Sequence, residues 1–224
     1  VMELPSNLVR AKFKKRLNRF VAVMDVDGEE VMSHVANSGR LRELLIPDYI
    51  MLLHPVTSLT RKTKFDLVLV DIGTTLCSVD ARVPNLLLQE GLERNVVTPL
   101  RDFEDIRREV TYGDSRFDLL LSNGKTECFI EAKSVTLVED KVALFPDAPT
   151  ARGSKHLRGL IAAKNEGYRC GVVFVIQRED ADSLTIQADS YPEFANTLSQ
   201  AIEEGVEAYA YTCKVSTESI QLYR

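Results

Sequence analysis

Asp118 and Glu131 are acidic residues set inside apolar runs, 116–121 and 128–134, and Lys133 follows Glu131 by two positions. A carboxylate in such a run is shielded from water on at least one face and needs a partner. Strand alternation sends Glu131 and Lys133 to the same face. Between the runs, Asn123-Gly124 is a strong hairpin signal, and antiparallel pairing through it brings Asp118 beside Glu131. Two carboxylates and an ammonium then converge at one end of a sheet. Such a set suits a divalent cation, because Mg²⁺ wants hard oxygen ligands in octahedral geometry and takes only about one or two carboxylates, leaving waters and a substrate phosphate to complete its shell. Mg²⁺ or Mn²⁺ at that point lowers the pKa of a bound water and neutralises a phosphate under attack, while Lys133 positions the water or stabilises the developing charge. Phosphodiester hydrolysis is the reaction this chemistry serves. Glu109 on the preceding run is favoured as a third catalytic acid, with Glu90 as the alternative. The competing arrangement is a buried ion-pair network of Asp118, Glu131 and Lys133 with Arg108 or Arg116, which needs no metal.

These residues need a sheet to hold them. Three strand candidates follow one another closely, at 105–112, 116–121 and 127–133. Before them, 84–92 reads as a helix with Pro84 in its first turn and Gly91 near its end. After them come a helix over 153–166, a buried strand over 170–177, a helix over 192–204 and a strand over 207–215. Hairpins combined with a strand-helix-strand crossover predict a mixed sheet flanked by helices. The first part of the chain differs. Segments rich in β-formers at 20–26, 30–35, 49–53, 65–71 and 75–79 are punctuated by Asp27-Gly28, Asn37-Ser38-Gly39 and Ile72-Gly73. Five short strands with little helix predict a small Greek-key barrel of the OB-fold type, with a sandwich as the alternative. The pattern changes near residue 82, so two domains are expected, 1–82 and 83–224, in a mixed α/β chain.

The 224 residues, 45% of them hydrophobic, suffice for two cores. No run approaches the ~18 consecutive apolar residues of a membrane span, and the start lacks a leader pattern, so a cytoplasmic protein without membrane partners is expected. Cys77, Cys128, Cys170 and Cys213 lie far apart, which fits buried free thiols rather than a zinc site or a disulfide framework. A net charge of -5 argues against bulk electrostatic coating of nucleic acid. The distribution is uneven: 12 Lys and Arg face 10 Asp and Glu in residues 1–82, against 16 and 23 in the remainder. Residues 10–19 carry six cations and no acid. Arg16 and Arg19 there, with Arg61 and Lys62, are candidates to line a groove along a phosphate backbone, with Phe13 or Phe20 as a stacking surface. A merely solvated charge run is the alternative. Arg152, Lys155, His156 and Arg158 cluster at a helix start and read as a phosphate clamp. His156 also has the chemistry of a general acid, although a lone histidine is more often structural. Gln177 ends an apolar strand, where it either orients a water or ligand or simply leaves the sheet. His34, Asn37 and Ser38 form a polar turn suited to a binding loop.

The stretch 109–120, Glu-Val-Thr-Tyr-Gly-Asp-Ser-Arg-Phe-Asp-Leu-Leu, followed by 130–137, Ile-Glu-Ala-Lys-Ser-Val-Thr-Leu, resembles the sugar fermentation stimulation protein A family. Residues 145–158, with Thr150, Arg152-Gly153 and Lys155-His156-Leu157 at fixed spacing, resemble that family's signature block. The likeness extends to Asn18-Arg19-Phe20, 34–39, Arg61-Lys62, Val83-Pro84-Asn85 and 174–178, so it covers essentially the whole chain. The resemblance implies an N-terminal OB-fold joined to a PD-(D/E)XK nuclease-like domain, DNA binding, and a link to sugar utilisation. It carries the nuclease positions onto Asp118, Glu131 and Lys133. Val35-Ala36 stands where the family usually has Cys-Pro, Ser38 where it has Thr and Leu41 where it has Met, so no thiol serves that turn here. The superfamily includes members that only bind.

Two functions are therefore carried forward. One is a Mg²⁺- or Mn²⁺-dependent nuclease acting on DNA, with RNA left open. The other is a non-catalytic DNA-binding regulator of sugar metabolism that keeps the nuclease fold. A homodimer is compatible with either. Direct sugar chemistry has no support, since the chain has no tryptophan and no visible aromatic platform for a sugar.

Overall fold

A computed structural model describes residues 1–58 and 60–224. After a two-residue strand, β1 (Met2–Glu3), come β2 (Val9–Asn18), β3 (Val21–Val26), β4 (Glu29–His34), β5 (Ile50–Pro55), β6 (Phe65–Asp71) and β7 (Leu76–Ser78). Strands β4, β3, β2, β5 and β6 pair in that order, and β6 returns to β4 in parallel through Ser33 and Phe65, closing a five-stranded barrel. Closure removes the free edges that an open sheet would expose. The barrel core packs Ala22, Met24, Leu53, Leu67 and Val70 of its strands with Leu41 and Leu44 of the β4–β5 connection. The fifth wall is not the expected one. Residues 75–79 supply only β7, an appendage on β6, whereas the basic run forms the ten-residue β2 at the centre. Its alternation is present but masked by charge: Arg10 and Lys12 point outward around a buried Ala11 and a half-buried Phe13. Long cationic stems lie along a sheet while their heads stay in water.

The second half begins with α1 (Val83–Glu93), whose Pro84 occupies the first turn where its missing N–H costs nothing. It continues through β8 (Asp105–Tyr112), β9 (Ser115–Ser122), β10 (Glu127–Val135), β11 (Val138–Glu139), β12 (Val142–Phe145), α2 (Ala151–Asn165), β13 (Arg169–Ile176), β14 (Ser183–Ile186), α3 (Pro192–Glu203), β15 (Glu207–Val215) and β16 (Ser219–Leu222). The main sheet runs β1-β16-β15-β13-β10-β9-β8, with β13 parallel to both β10 and β15 and the remaining pairs antiparallel. Strands β11, β12 and β14 form a small separate sheet that was not legible as strands, and Met2–Glu3 joins the main sheet rather than the barrel. Alternate residues of β10 serve opposite cores. Phe129 packs with Leu157 and Leu160 of α2 and Phe194 of α3, whereas Ile130 packs with Leu87 and Leu88 of α1. Truncating one such leucine to alanine costs about 2–5 kcal/mol.

Gln177 and Asp147 are among the side chains that join the halves. Gln177 is fully buried, and its amide accepts from Ser78 Oγ at 3.0 Å and donates to Ser134 Oγ at 2.9 Å. Asp147 Oδ2 accepts from the Leu41 amide at 3.2 Å. Asp147 comes so close to the barrel loop that a Cβ on Gly39 would stand 2.5 Å from one of its oxygens, which is why glycine occupies that position. All four cysteines are buried and free, as expected.

Candidate metal centre and its cleft

The β9–β10 ladder runs as far as Leu119 and Ile130 and then stops, one position before Asp118 and Glu131. Where the strands part, Asp118 Oδ2 takes the hydrogen bond of the Ala132 amide at 2.8 Å. Its other oxygen accepts from Asn85 Nδ2 of α1 at 2.6 Å. Glu131 is 3% exposed and its Oε1 accepts from Lys133 Nζ at 2.8 Å and pairs with His156 Nδ1 of α2 at 2.5 Å. The alternation along β10 therefore brings Glu131 and Lys133 together as the sequence predicts. Glu131 Oε2 is buried and has no partner.

The two carboxyls are pushed apart electrostatically. Burial, reinforced by the charge on Glu131, raises Asp118 to about 6. Burial pushes Glu131 upward too, but the His156 hydrogen bond and the Lys133 charge outweigh it and hold this carboxyl below its ordinary value. A hard divalent cation fits this donor set: an orphaned, desolvated carboxylate oxygen beside a second carboxyl is completed by a positive charge. The described residues contain no cluster of three or more His, Cys, Asp or Glu ligands, so most of the coordination shell would come from water or substrate.

Both acids line a polar cleft of about 610 Å³ between the halves of the chain. Asn37, Ser38 and Gly39 of the barrel and Arg82 of the connection form one side, and residues 145–150 with Arg152 form another. Glu109 also reaches this cleft. It sits opposite Asp118 in a gap of the β8–β9 pairing, with a left-handed φ of 54° and its carboxylate exposed 3.8 Å from Arg116. A non-glycine residue held in that region stores roughly 1–3 kcal/mol and marks a constrained position. Glu90 is elsewhere, paired with Arg94 at 3.0 Å. The residue that α1 sends to Asp118 is Asn85, which sequence reasoning did not single out for chemistry.

The basic candidates separate in the structure. Of the group at the start of α2, Arg152 lines the cleft, while Lys155 bonds the Asp114 carbonyl at 2.9 Å and Arg158 pairs with Glu193 at 3.0 Å. His156 turns inward and is only 7% exposed, so its ring holds Glu131 instead of clamping phosphate. Arg152 Nε donates to the other ring nitrogen at 3.4 Å, extending the chain Arg152–His156–Glu131. Thr150 caps the helix, its Oγ1 accepting from the Gly153 amide at 3.2 Å. Arg16 spends its guanidinium on the carbonyls of Arg19, Asn37, Gly39 and Arg40, and Arg61 is paired with Asp66 at 2.5 Å. Arg19 and Lys62 remain exposed. Gln177 is enclosed between Ser78 and Ser134 and does not line the cleft, so a direct hold on water or ligand gives way to a structural duty.

An OB-like barrel followed by a mixed sheet with a polar cleft at the junction defines the class of protein. Comparison with known proteins gives the particular family. Residues 15–79 match the SfsA N-terminal OB domain and residues 82–219 match the sugar fermentation stimulation protein RE domain, and the chain belongs to the sugar fermentation stimulation protein family. A sugar fermentation stimulation protein homolog of Desulforamulus reducens is 46% identical over 215 residues, covering 96% of this chain and 90% of the relative. One from Acetivibrio thermocellus is 46% identical over 219 residues, covering 97% and 94%. The solved structure of Pyrococcus furiosus SfsA in complex with Ca²⁺ superposes with a TM-score of 0.88 at 30% identity, covering 99% of this chain and 95% of that one. No helix among the described residues is long and apolar enough to cross a membrane.

Proposed function

We propose that this protein is a divalent-metal-dependent nuclease that binds DNA and hydrolyses its phosphodiester bonds. The observation that carries the reading is Glu131 Oε2, a buried carboxylate oxygen without a partner beside Asp118 in an open polar cleft. Burying such an oxygen is costly unless a cation satisfies it. The Pyrococcus furiosus relative was solved in complex with Ca²⁺, which supports a hard divalent cation as the metal. Mg²⁺ or Mn²⁺ held by Asp118 and Glu131 supplies charge neutralisation and an acidified water. Lys133 stabilises charge on the attacked phosphate, and Arg152 in the wall offers a second cation to it. In the hydrolysis the water gives up a proton to solvent as its oxygen bonds phosphorus, the bond to the leaving oxygen breaks, and that oxygen takes a proton from solvent. Glu109 stands ready as a third acid from the exposed rim. The division of labour follows the sequence boundary at residue 82, with the barrel binding the strand through Arg19 and Lys62 and the sheet cutting it. DNA as substrate goes with a cytoplasmic site of action.

One contact favours the second reading, a DNA-binding regulator without cleavage: Lys133 already neutralises Glu131 at 2.8 Å. The experiment that separates them is cleavage of DNA by purified protein with Mg²⁺ or Mn²⁺. Glu131→Ala is expected to abolish cutting while leaving binding largely intact. Equal activity in that variant points to a contaminant and leaves the regulator.

A further inference from the structure

Asp118 and Glu131, the two acids proposed to hold the metal, are recessed. Glu131 and Lys133 have side chains only 5% and 11% exposed, and both oxygens of Asp118 are engaged from within. They lie in a cleft walled by the barrel loop at Ser38 and Gly39 and by the approach to α2 at Pro149 and Thr150. A phosphodiester must come down between these walls. Duplex DNA is stiff over about 150 base pairs and carries its phosphates on the outside of a wide cylinder. A single strand is flexible and narrow enough to be drawn in, and recessed sites elsewhere act on single-stranded or extruded nucleotides.

The turn between β2 and β3 is an independent observation on the same side of the barrel. Phe20 is 47% exposed and Leu17 50%, large apolar side chains left in water next in sequence to the exposed cation Arg19, and Arg16 Nη1 ties this segment to the carbonyl of the exposed Arg40 at 2.6 Å. Neither Arg19 nor Arg40 pairs with a carboxylate among the described residues, in contrast to Arg61 with Asp66. Arg16 Nη2 donates to the carbonyl of Arg19 at 2.6 Å and to that of Asn37 at 3.0 Å, so one nitrogen joins this turn to the loop that lines the cleft. An exposed ring on a segment that also carries unpaired cations is what stacked bases and their phosphates require. A merely solvated charge run gives no reason to expose the ring.

We propose that the β2–β3 turn and the cleft form one track for a single polynucleotide strand, with a base stacked on Phe20, phosphates beside Arg19 and Arg40, and the strand descending to Asp118 and Glu131. The proposal rests on the nuclease reading and narrows its substrate to single strands. The test is fluorescence anisotropy of the full chain in Ca²⁺ with a labelled oligonucleotide longer than the ~4–16 nucleotides an OB fold covers, run single-stranded as DNA and as RNA, and as the DNA duplex. Either single strand is expected to bind at least tenfold tighter than the duplex. Phe20→Ala is expected to lose about tenfold in single-strand affinity with duplex affinity unchanged, and Phe20→Tyr, which keeps the ring, to retain it. Arg19→Ala is expected to reduce the single-strand salt slope by about 0.7. Equal or tighter duplex binding, or indifference of single-strand binding to Phe20→Ala, overturns the track while Glu131-dependent cleavage of duplex keeps the nuclease reading alive. Failure of the unsubstituted protein to bind either form removes both.

Discussion

His156 Nδ1 lies 2.5 Å from Glu131 Oε1, and Arg152 donates to the other nitrogen of the same ring. With Arg152 donating to Nε2, the Nδ1 position carries the proton and donates it to Glu131. The α2 helix thus holds one oxygen of the acid while Oε2 is left without a partner. Replacing His156 with alanine removes a hydrogen bond that orients a proposed metal ligand, and such outer contacts are worth about 10–100-fold in metal affinity. Isothermal titration with Ca²⁺ is expected to show that loss for His156→Ala and partial recovery for His156→Asn, whose amide again offers a donor. Equal affinity in all three proteins would mean that the ring only fills space.

Asp118 gives the pH dependence. Its folded carboxyl is raised from 3.8 to about 6 by burial and then by Glu131, so the fold favours the uncharged form. The stability this group contributes is complete below about pH 4 and is lost as pH rises through about 6, on the order of 3 kcal/mol in the metal-free protein. Glu131, held low, works in the opposite sense, and its contribution disappears as pH falls below its ordinary value of 4.5. Urea unfolding in chelator across roughly pH 4 to 8 is expected to show stability falling toward neutrality, with Asp118→Asn flattening that trend. Ca²⁺ affinity is expected to rise over the same interval, because the cation needs the ionised carboxylate. A pH-independent unfolding midpoint in the parent protein would rule out this assignment.

Gln177 offers a contrast between structure and chemistry. Gln177→Ala leaves the hydroxyls of Ser78 and Ser134 without their buried partner, a cost of about 1–3 kcal/mol. Thermal unfolding is expected to move down accordingly, with Ca²⁺ affinity and turnover of the folded fraction unchanged. A drop in turnover at full stability would instead restore the water-orienting role that its position at a strand end suggests.

Much of the second half was legible because its signals are local. Apolar runs over 116–121 and 128–134, a hairpin turn between them, and proline and glycine at the ends of 84–92 specify strands and a helix wherever they occur. The basic run 10–19 was harder, since cations on the outward positions of β2 hide an alternation only Ala11 and Phe13 reveal. The short strands β11, β12, β14 and β16, of two to four residues each, carry too few residues for any period to show.

The pairing of Glu131 with Lys133 was determined by the sequence itself, because two residues along a strand share a face whatever surrounds them. The choice of Asn85 over Glu90 as partner for Asp118, the inward turn of His156, and the commitment of Arg16 to four carbonyls were decided by tertiary structure alone. These contacts join residues 16 with 40, 85 with 118 and 131 with 156, and they depend on how a helix is rotated against a sheet or a loop against a barrel. Nearest neighbours in the chain carry no record of that rotation, because it is set by the packing of whole cores.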